Sequence, residues 1–424
     1  MPSPSSRGIP RRDFVKSAVA IGGVAALSAC LGREEPDPPR GPEDLSSHPA
    51  RQHAWNAVLA TDDHGNDVAP RHHVLLLLDY AGDGVPDDAD RQTVERALRS
   101  LEHAYPRGHD GLLFTVGYAP AYFEQFDEDL PDSVDLPEPT ALAPFEDPAF
   151  DTPDAVVHLA SDYGSVVLAA ESALVGERDE LNGAPVEASF DGVLERVDRR
   201  TGFVGDGLPA DHQDVRGVPD GDLVPEDAPL YMGFKSGYTK NQATEDRVTI
   251  PDGPFAGGAT QHVSRIRLNL QQWYEQDSRE QRVAKMFCPV HAEDGLVEGV
   301  GDNLGDSSQL GDCPAHTEDH ARTRGLVGHS QKSARAREDD APVILRRDFD
   351  STDGGEAGLH FVSLQRTIGD FVATREAMNG TDVAENSAVG QRLNNGILQY
   401  MSVKRRGNFL LPPRSLRALP VPRP

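Results

Sequence analysis

A single histidine, His329, heads a basic run (Lys332, Arg335, Arg337), and seventeen residues after it the apolar run Val343-Ile344-Leu345 delivers Arg346, Arg347 and Asp348. Imidazole is a common metal ligand, guanidinium groups can hold an anion as charge develops on it, and a carboxylate can move a proton. Taken alone, the histidine reads as a surface residue ahead of a solvated basic loop. A second set of donors lies just upstream. Cys288-Pro289-Val290-His291 and Cys313-Pro314-Ala315-His316 repeat a CPxH pattern and hold the only cysteines of the chain after Cys30. Two thiolates and two imidazoles form a proper set for tetrahedral zinc or for copper. A Cys288–Cys313 disulfide is the simpler outcome in an exported protein, and free thiols are the third. His320, four residues after His316, adds a donor at helical spacing.

Several stretches carry a resemblance when taken together and in order. Met232-Gly233-Phe234-Lys235-Ser236-Gly237 resembles a GFxDG motif with serine in place of aspartate. "LLFTVGYAP", "DAVVHLASD", "GGATQHVSRIRLNL", the "VILRR" strand and the closing "GILQYMSVKRRGNFLLPP" follow the pattern of the dye-decolorizing (DyP-type) haem peroxidases. The resemblance spans most of residues 71–415. It implies haem b as cofactor, His329 as the axial ligand and Arg346 as the distal arginine, with Arg347 as the neighbour that a one-residue shift would choose. It also implies hydrogen peroxide and an organic donor as reactants, and allows a homo-oligomer. Ser236 stands where the family has its acid–base aspartate, and a hydroxyl alone is a poor proton acceptor. Asp348, two residues past Arg346, is a second candidate for the lost carboxylate, and Glu245 and Asp246 are further ones. The alternative is a haem-binding or deferrochelatase-like lipoprotein with weak or no peroxidase activity. A structural envelope protein on the same scaffold without haem is the third reading.

These residues need a framework. The apolar run from Arg71 to Tyr80 reads as a buried strand, and Asp87 to Tyr105 has helical spacing with Val94, Leu98, Leu101 and Tyr105 on one face. Leu112–Pro120 and Asp154–Asp162 read as strands, and Tyr163–Val175 as a helix. That order is the order of a ferredoxin-like unit. Asp191–Phe203 reads as a hairpin in a Gly- and Pro-rich region. A second unit runs from the strand Gly257–Leu270 through a helix over Gln271–Met286 to the strand Leu359–Gln365 and a helix over Thr367–Met378. The expectation is an α+β fold of two ferredoxin-like halves with antiparallel sheets, of the dimeric α+β-barrel kind. The halves fall at about 71–230 and 231–424.

The first 29 residues read as targeting rather than fold. Arg11-Arg12-Asp13-Phe14-Val15-Lys16 is a twin-arginine pattern, Ser17 to Ala29 is weakly apolar, and Leu27-Ser28-Ala29-Cys30 looks like a lipobox with Cys30 as the lipidated residue. The expected location is the outer face of the cytoplasmic membrane, with residues 30–70 as a lipidated tether and irregular segment. The formal net charge is −28 with 41 basic and 69 acidic residues. Such a balance argues against a nucleic-acid partner, which needs clustered cations. The leader carries Arg7, Arg11, Arg12 and Lys16 against Asp13, so its removal leaves the rest three charges more negative. Carboxylates spread along the whole chain suit a surface kept hydrated in high salt.

Overall fold

Seven consecutive buried residues, His72 to Leu78, form most of the first strand. A run with no exposed alternate face needs cover on both sides. The computed structural model, which describes residues 37–385 and 388–424, supplies that cover with helices outside and a second sheet within. In chain order the principal elements of the first half are β1 (His72–Tyr80), α1 (Asp88–Ala104), β2 (Leu113–Tyr118), β3 (Ala155–Ser161), α2 (Gly164–Leu174) and β4 (Leu194–Phe203). Those of the second are β5 (Ala259–Leu268), α3 (Arg279–Met286), α4 (Thr317–Arg324), α5 (His329–Ser333), β6 (Leu345–Arg346), β7 (Phe349–Ser351), β8 (Gly358–Gln365), α6 (Ile368–Asn379) and β9 (Met401–Leu411). No helix among the described residues is long and apolar enough to cross a membrane.

The first half orders its strands β4-β1-β3-β2, and the second β9-β5-β8-β7, all antiparallel. Both are ferredoxin-like sheets. They join at two seams, each a single bridged pair: Asp350 with Phe203, and Leu410 with Tyr118. The pairing therefore runs full circle as an eight-stranded barrel. Its interior holds Leu75, Leu77, Val263, Phe349, Val362 and Phe409 in one apolar cluster, with the buried rings of His73, His158 and His360 packed around Phe349. A larger cluster fills the space between the first sheet and its helices α1 and α2.

Local signals set the helix ends. Asp87 accepts from the amides of Ala89 and Asp90 while Asp90 reaches back to the Asp87 amide, a capping box that starts α1. Thr367 and Asp370 do the same for α6. Three expectations differ in detail. Asp191–Phe203 is not a hairpin: Leu194–Phe203 is one ten-residue strand paired with β1 along its length. The helix read over Gln271–Met286 is two pieces, a π-helical turn over Gln272–Gln276 and then α3, which Ser278 restarts as N-cap. Residues 37–70 hold only a 3-10 turn at Asn56–Val58 and a small ladder of Ala60–Thr61 with Asp67–Val68, yet they pack: Leu45, Gln52, His53 and Trp55 are buried. The twin-arginine pattern and Cys30 lie outside the described residues.

Candidate functional site

The short helix α5 begins at Gly328 because the chain passes very close to its neighbour there. A Cβ at Gly328 would meet the Phe287 carbonyl oxygen at 1.9 Å. Gln331 ties the turn down from three sides. Its amide N–H donates to Phe287 O at 3.1 Å, its Oε1 accepts from Gly328 N at 3.1 Å, and its Nε2 donates to Cys313 O at 2.6 Å. Lys332 is buried on the far side, donating to Met378 O and Asn395 Oδ1, and burial holds its ammonium pKa well below the ordinary value. This leaves His329 facing a cavity between α5, α6 and the outer face of the second sheet. Ser264, Ile266 and Leu268 line that cavity from β5, two residues apart, as the strand period requires. Phe234, Phe287 and Phe361 complete much of the apolar wall.

His329 is half-buried and lines that cavity. Its Nδ1 is buried without a hydrogen-bond partner. Burial, reinforced by Arg346, Lys332 and Arg375, pushes its pKa down to about 3, so the imidazole is neutral. Arg346, Ser236 and Asp348 border the same cavity. They also border a second, more polar cavity that the two share at Leu230 and Lys235, so these three residues sit at the junction.

Strand alternation separates the two arginines. Arg347 turns the other way, stacks 4.4 Å over the Trp55 ring and donates to His53 O, Asn56 Oδ1 and Glu245 Oε1 at 3.0–3.1 Å. The His329 cavity is therefore bordered by Arg346 and not by Arg347. Glu245, engaged by Arg347 and by the amides of Trp55 and Asn56, faces the polar cavity only. Asp246 also lies there and pairs with Arg51.

Asp350 is a cavity residue that the sequence reading missed. It lies two positions after Asp348 and borders the same cavity, and the Asp-x-Asp spacing was the available signal. Its carboxylate accepts from Tyr231 N. Burial first, and the nearby Asp348 charge as well, raise its pKa well above the ordinary value against that hydrogen bond. Burial raises Asp348 too, opposed by Arg346. Arg375 and Arg406 were also missed; both border the cavity and both pair with Glu146. No local pattern links Glu146 to partners more than two hundred residues away.

The set fits haem. Apolar walls would hold a porphyrin, a neutral buried imidazole facing inward can ligate its iron, and Arg346, Arg375 and Arg406 bring positive charge to the cavity surface. Beside this site Cys288 and Cys313 are joined by a disulfide. His291 lies close to both sulfurs, whereas His316 is outside that group and its ring is 6.2 Å from that of His320.

The family of unknown function DUF7405 matches residues 70–413. No curated protein matches the sequence. Among solved structures the chain is similar to a dye-decolorizing protein from V. cholerae at 15% identity, covering 86% of this chain and 98% of that one with a TM-score of 0.52. It is similar to the encapsulated DyP-type peroxidase from Mycobacterium smegmatis at 16%, 84%, 97% and 0.54 in the same terms. A variant of Rhodococcus jostii DypB in complex with heme gives 16%, 87%, 99% and 0.53. At such identities it is the fold that is shared.

Proposed function

The chain belongs to the DUF7405 family of unknown function and has the DyP-type fold, and from this premise we propose that it is an exported haem protein that uses hydrogen peroxide to oxidise an organic donor. The observation that carries the reading is His329, whose Nδ1 is buried without a partner and which borders one cavity with Arg346, Ser236 and Asp348. Haem b bound there would supply the redox chemistry of peroxide reduction. The protein's part is to bind, orient and move protons. His329 would ligate the iron through the ring nitrogen on its cavity side. Arg346 would stabilise negative charge as the O–O bond breaks. Ser236 can hold a water, and Asp348 with Asp350 offers the carboxyl chemistry that Ser236 lacks. The polar cavity that meets the first at Ser236, Arg346 and Asp348 gives a small polar reactant a way in.

Serine at position 236, where the resemblance expects aspartate, favours a second reading, a haem-binding or deferrochelatase-like lipoprotein with weak or no peroxidase activity. Under either reading the RRDFVK pattern and the lipobox support twin-arginine export and a lipid anchor at Cys30. The absorption spectrum of protein made with haem available tests the proposal. A Soret band is expected, and His329→Ala should lose most of it while circular dichroism stays unchanged. Haem bound equally well by His329→Ala would overturn the assignment. Peroxide-dependent donor oxidation then separates the two readings.

A further inference from the structure

We propose that Cys288, His291, Cys313 and His320 are a redox-gated site for a soft divalent cation such as Zn²⁺, closed while the disulfide stands and open when it is reduced. One ring nitrogen of His291 and the two sulfurs all lie within 4.8 Å of one another. His320 lies outside that group of three, but its Nδ1 is 3.9 Å from Cys288 Sγ, which makes it the adjacent fourth donor. The helical turn Pro289–Glu293 creates the first half of this geometry by putting His291 three residues after Cys288 on one face.

His291 is what the disulfide alone leaves unexplained. The residue is 1% exposed. Its Nε2 is held by the Ser308 carbonyl oxygen at 2.8 Å, which fixes the proton on that nitrogen. Its Nδ1 therefore carries a lone pair, and this atom is buried with no hydrogen-bond partner. A disulfide has no proton to offer it, and an unpaired buried acceptor is unfavourable. An imidazole fixed by one N–H···O=C bond with its other nitrogen bare is the usual arrangement of a metal-ligating histidine. His320 is less committed, because its Nδ1 now meets Gln331 Nε2 at 2.8 Å and would exchange that contact for the metal. Cys313 and His320 keep 6% and 5% of their surface, so the cluster lies just below the protein surface within reach of a small reductant and an ion.

The chemistry balances with a dithiol as reductant. The S–S bond accepts two electrons and two protons and becomes two thiols, while the dithiol closes into its own disulfide. Zn²⁺ then takes both sulfurs as thiolates and two protons leave to solvent. The set Cys₂His₂ closes a tetrahedral site.

The test uses the full chain, oxidised or reduced without oxygen by a water-soluble phosphine, then loaded with Zn²⁺ and desalted. Elemental analysis should give one zinc per reduced chain and none per oxidised chain; the oxidised arm also reports any zinc held at His329. X-ray absorption at the zinc edge should show two sulfur neighbours at about 2.3 Å. His291→Ala, which still forms the disulfide and can be checked for folding in that state, should weaken zinc binding by at least about tenfold. His316→Ala should leave it unchanged. Should reduction unfold the chain, zinc that restores the native circular dichroism supports the site, and zinc that fails to restore it overturns the proposal. A reduced chain without zinc, or affinity indifferent to His291→Ala, would also overturn it.

Discussion

Asp350 and Asp348 are held above the ordinary carboxyl range, and this has a consequence for stability as well as for proton transfer. Between the usual value of 3.8 and the raised native value, the folded chain binds more protons than the unfolded one. Stability must therefore fall as pH rises through that interval. Asp350→Asn keeps an acceptor for Tyr231 N and removes the ionisation. The variant should be more stable than the wild type at neutral pH, with the difference shrinking toward zero below about pH 4, near the unfolded carboxyl pKa. Urea midpoints at a series of pH values measure this, and a difference independent of pH would show that the Asp350 proton is not linked to folding. Ser236 gives a second expectation. Acid–base assistance is worth about 10²- to 10⁴-fold. Ser236→Asp should therefore accelerate the reaction of the haem-loaded protein with peroxide by at least about tenfold on the same scale. Arg346→Leu in that background should remove the gain, because groups acting on one bond do not contribute additively. A wild type already as fast as Ser236→Asp would mean that Asp348 or Asp350 serves as the base.

The disulfide and Gln331 act on the element that carries His329. Gln331 links α5 to Cys313 O, and the Phe287 carbonyl before Cys288 accepts from the same residue's amide. The bridge closes a loop with a sequence separation of 25, and losing such a closure costs about 3 kcal/mol in the chain-entropy picture. Cys288→Ser with Cys313→Ser should lower the urea midpoint accordingly, and should weaken haem retention more than a surface destabilisation of equal size would. Equal retention at equal stability would disconnect the bridge from α5. How far the sequence revealed these elements follows from where their partners lie. β1, β2 and β3 could be read because burial on both faces leaves continuous apolar runs. β4 could not, because its Arg200 is buried through an ion pair to Asp151 at 2.7 Å, a partner outside the strand. That His329, Arg346 and Ser236 would meet at one cavity was legible through motif order. Alternation alone puts Arg346 and Arg347 on opposite sides; which of them faces the His329 cavity was not legible, since Arg347 is held by Trp55 and Glu245 arriving from distant segments.

Two populations of charge determine how the whole molecule responds to salt. One is internal: Asp151 with Arg200, Glu146 with Arg375 and Arg406, and Glu102 with Arg417 are pairs whose side chains are at most 6% exposed. Such pairs are screened little by dissolved ions. The other is the surface excess behind the net charge of −28. It repels itself in the compact state and less so in the expanded one. Raising salt from about 0.1 M to 1 M shortens the Debye length from about 10 Å to about 3 Å. The repulsion should fade over that interval while the internal pairs persist, so Tm should rise steeply up to about 1 M KCl and flatten beyond it. Sulfate, which also strengthens apolar burial, should go on raising Tm past that point. A Tm that is flat in KCl from 0.1 M upward would mean that the surface carboxylates are far enough apart to be solvated independently, and the high-salt reading of the composition would fall with it.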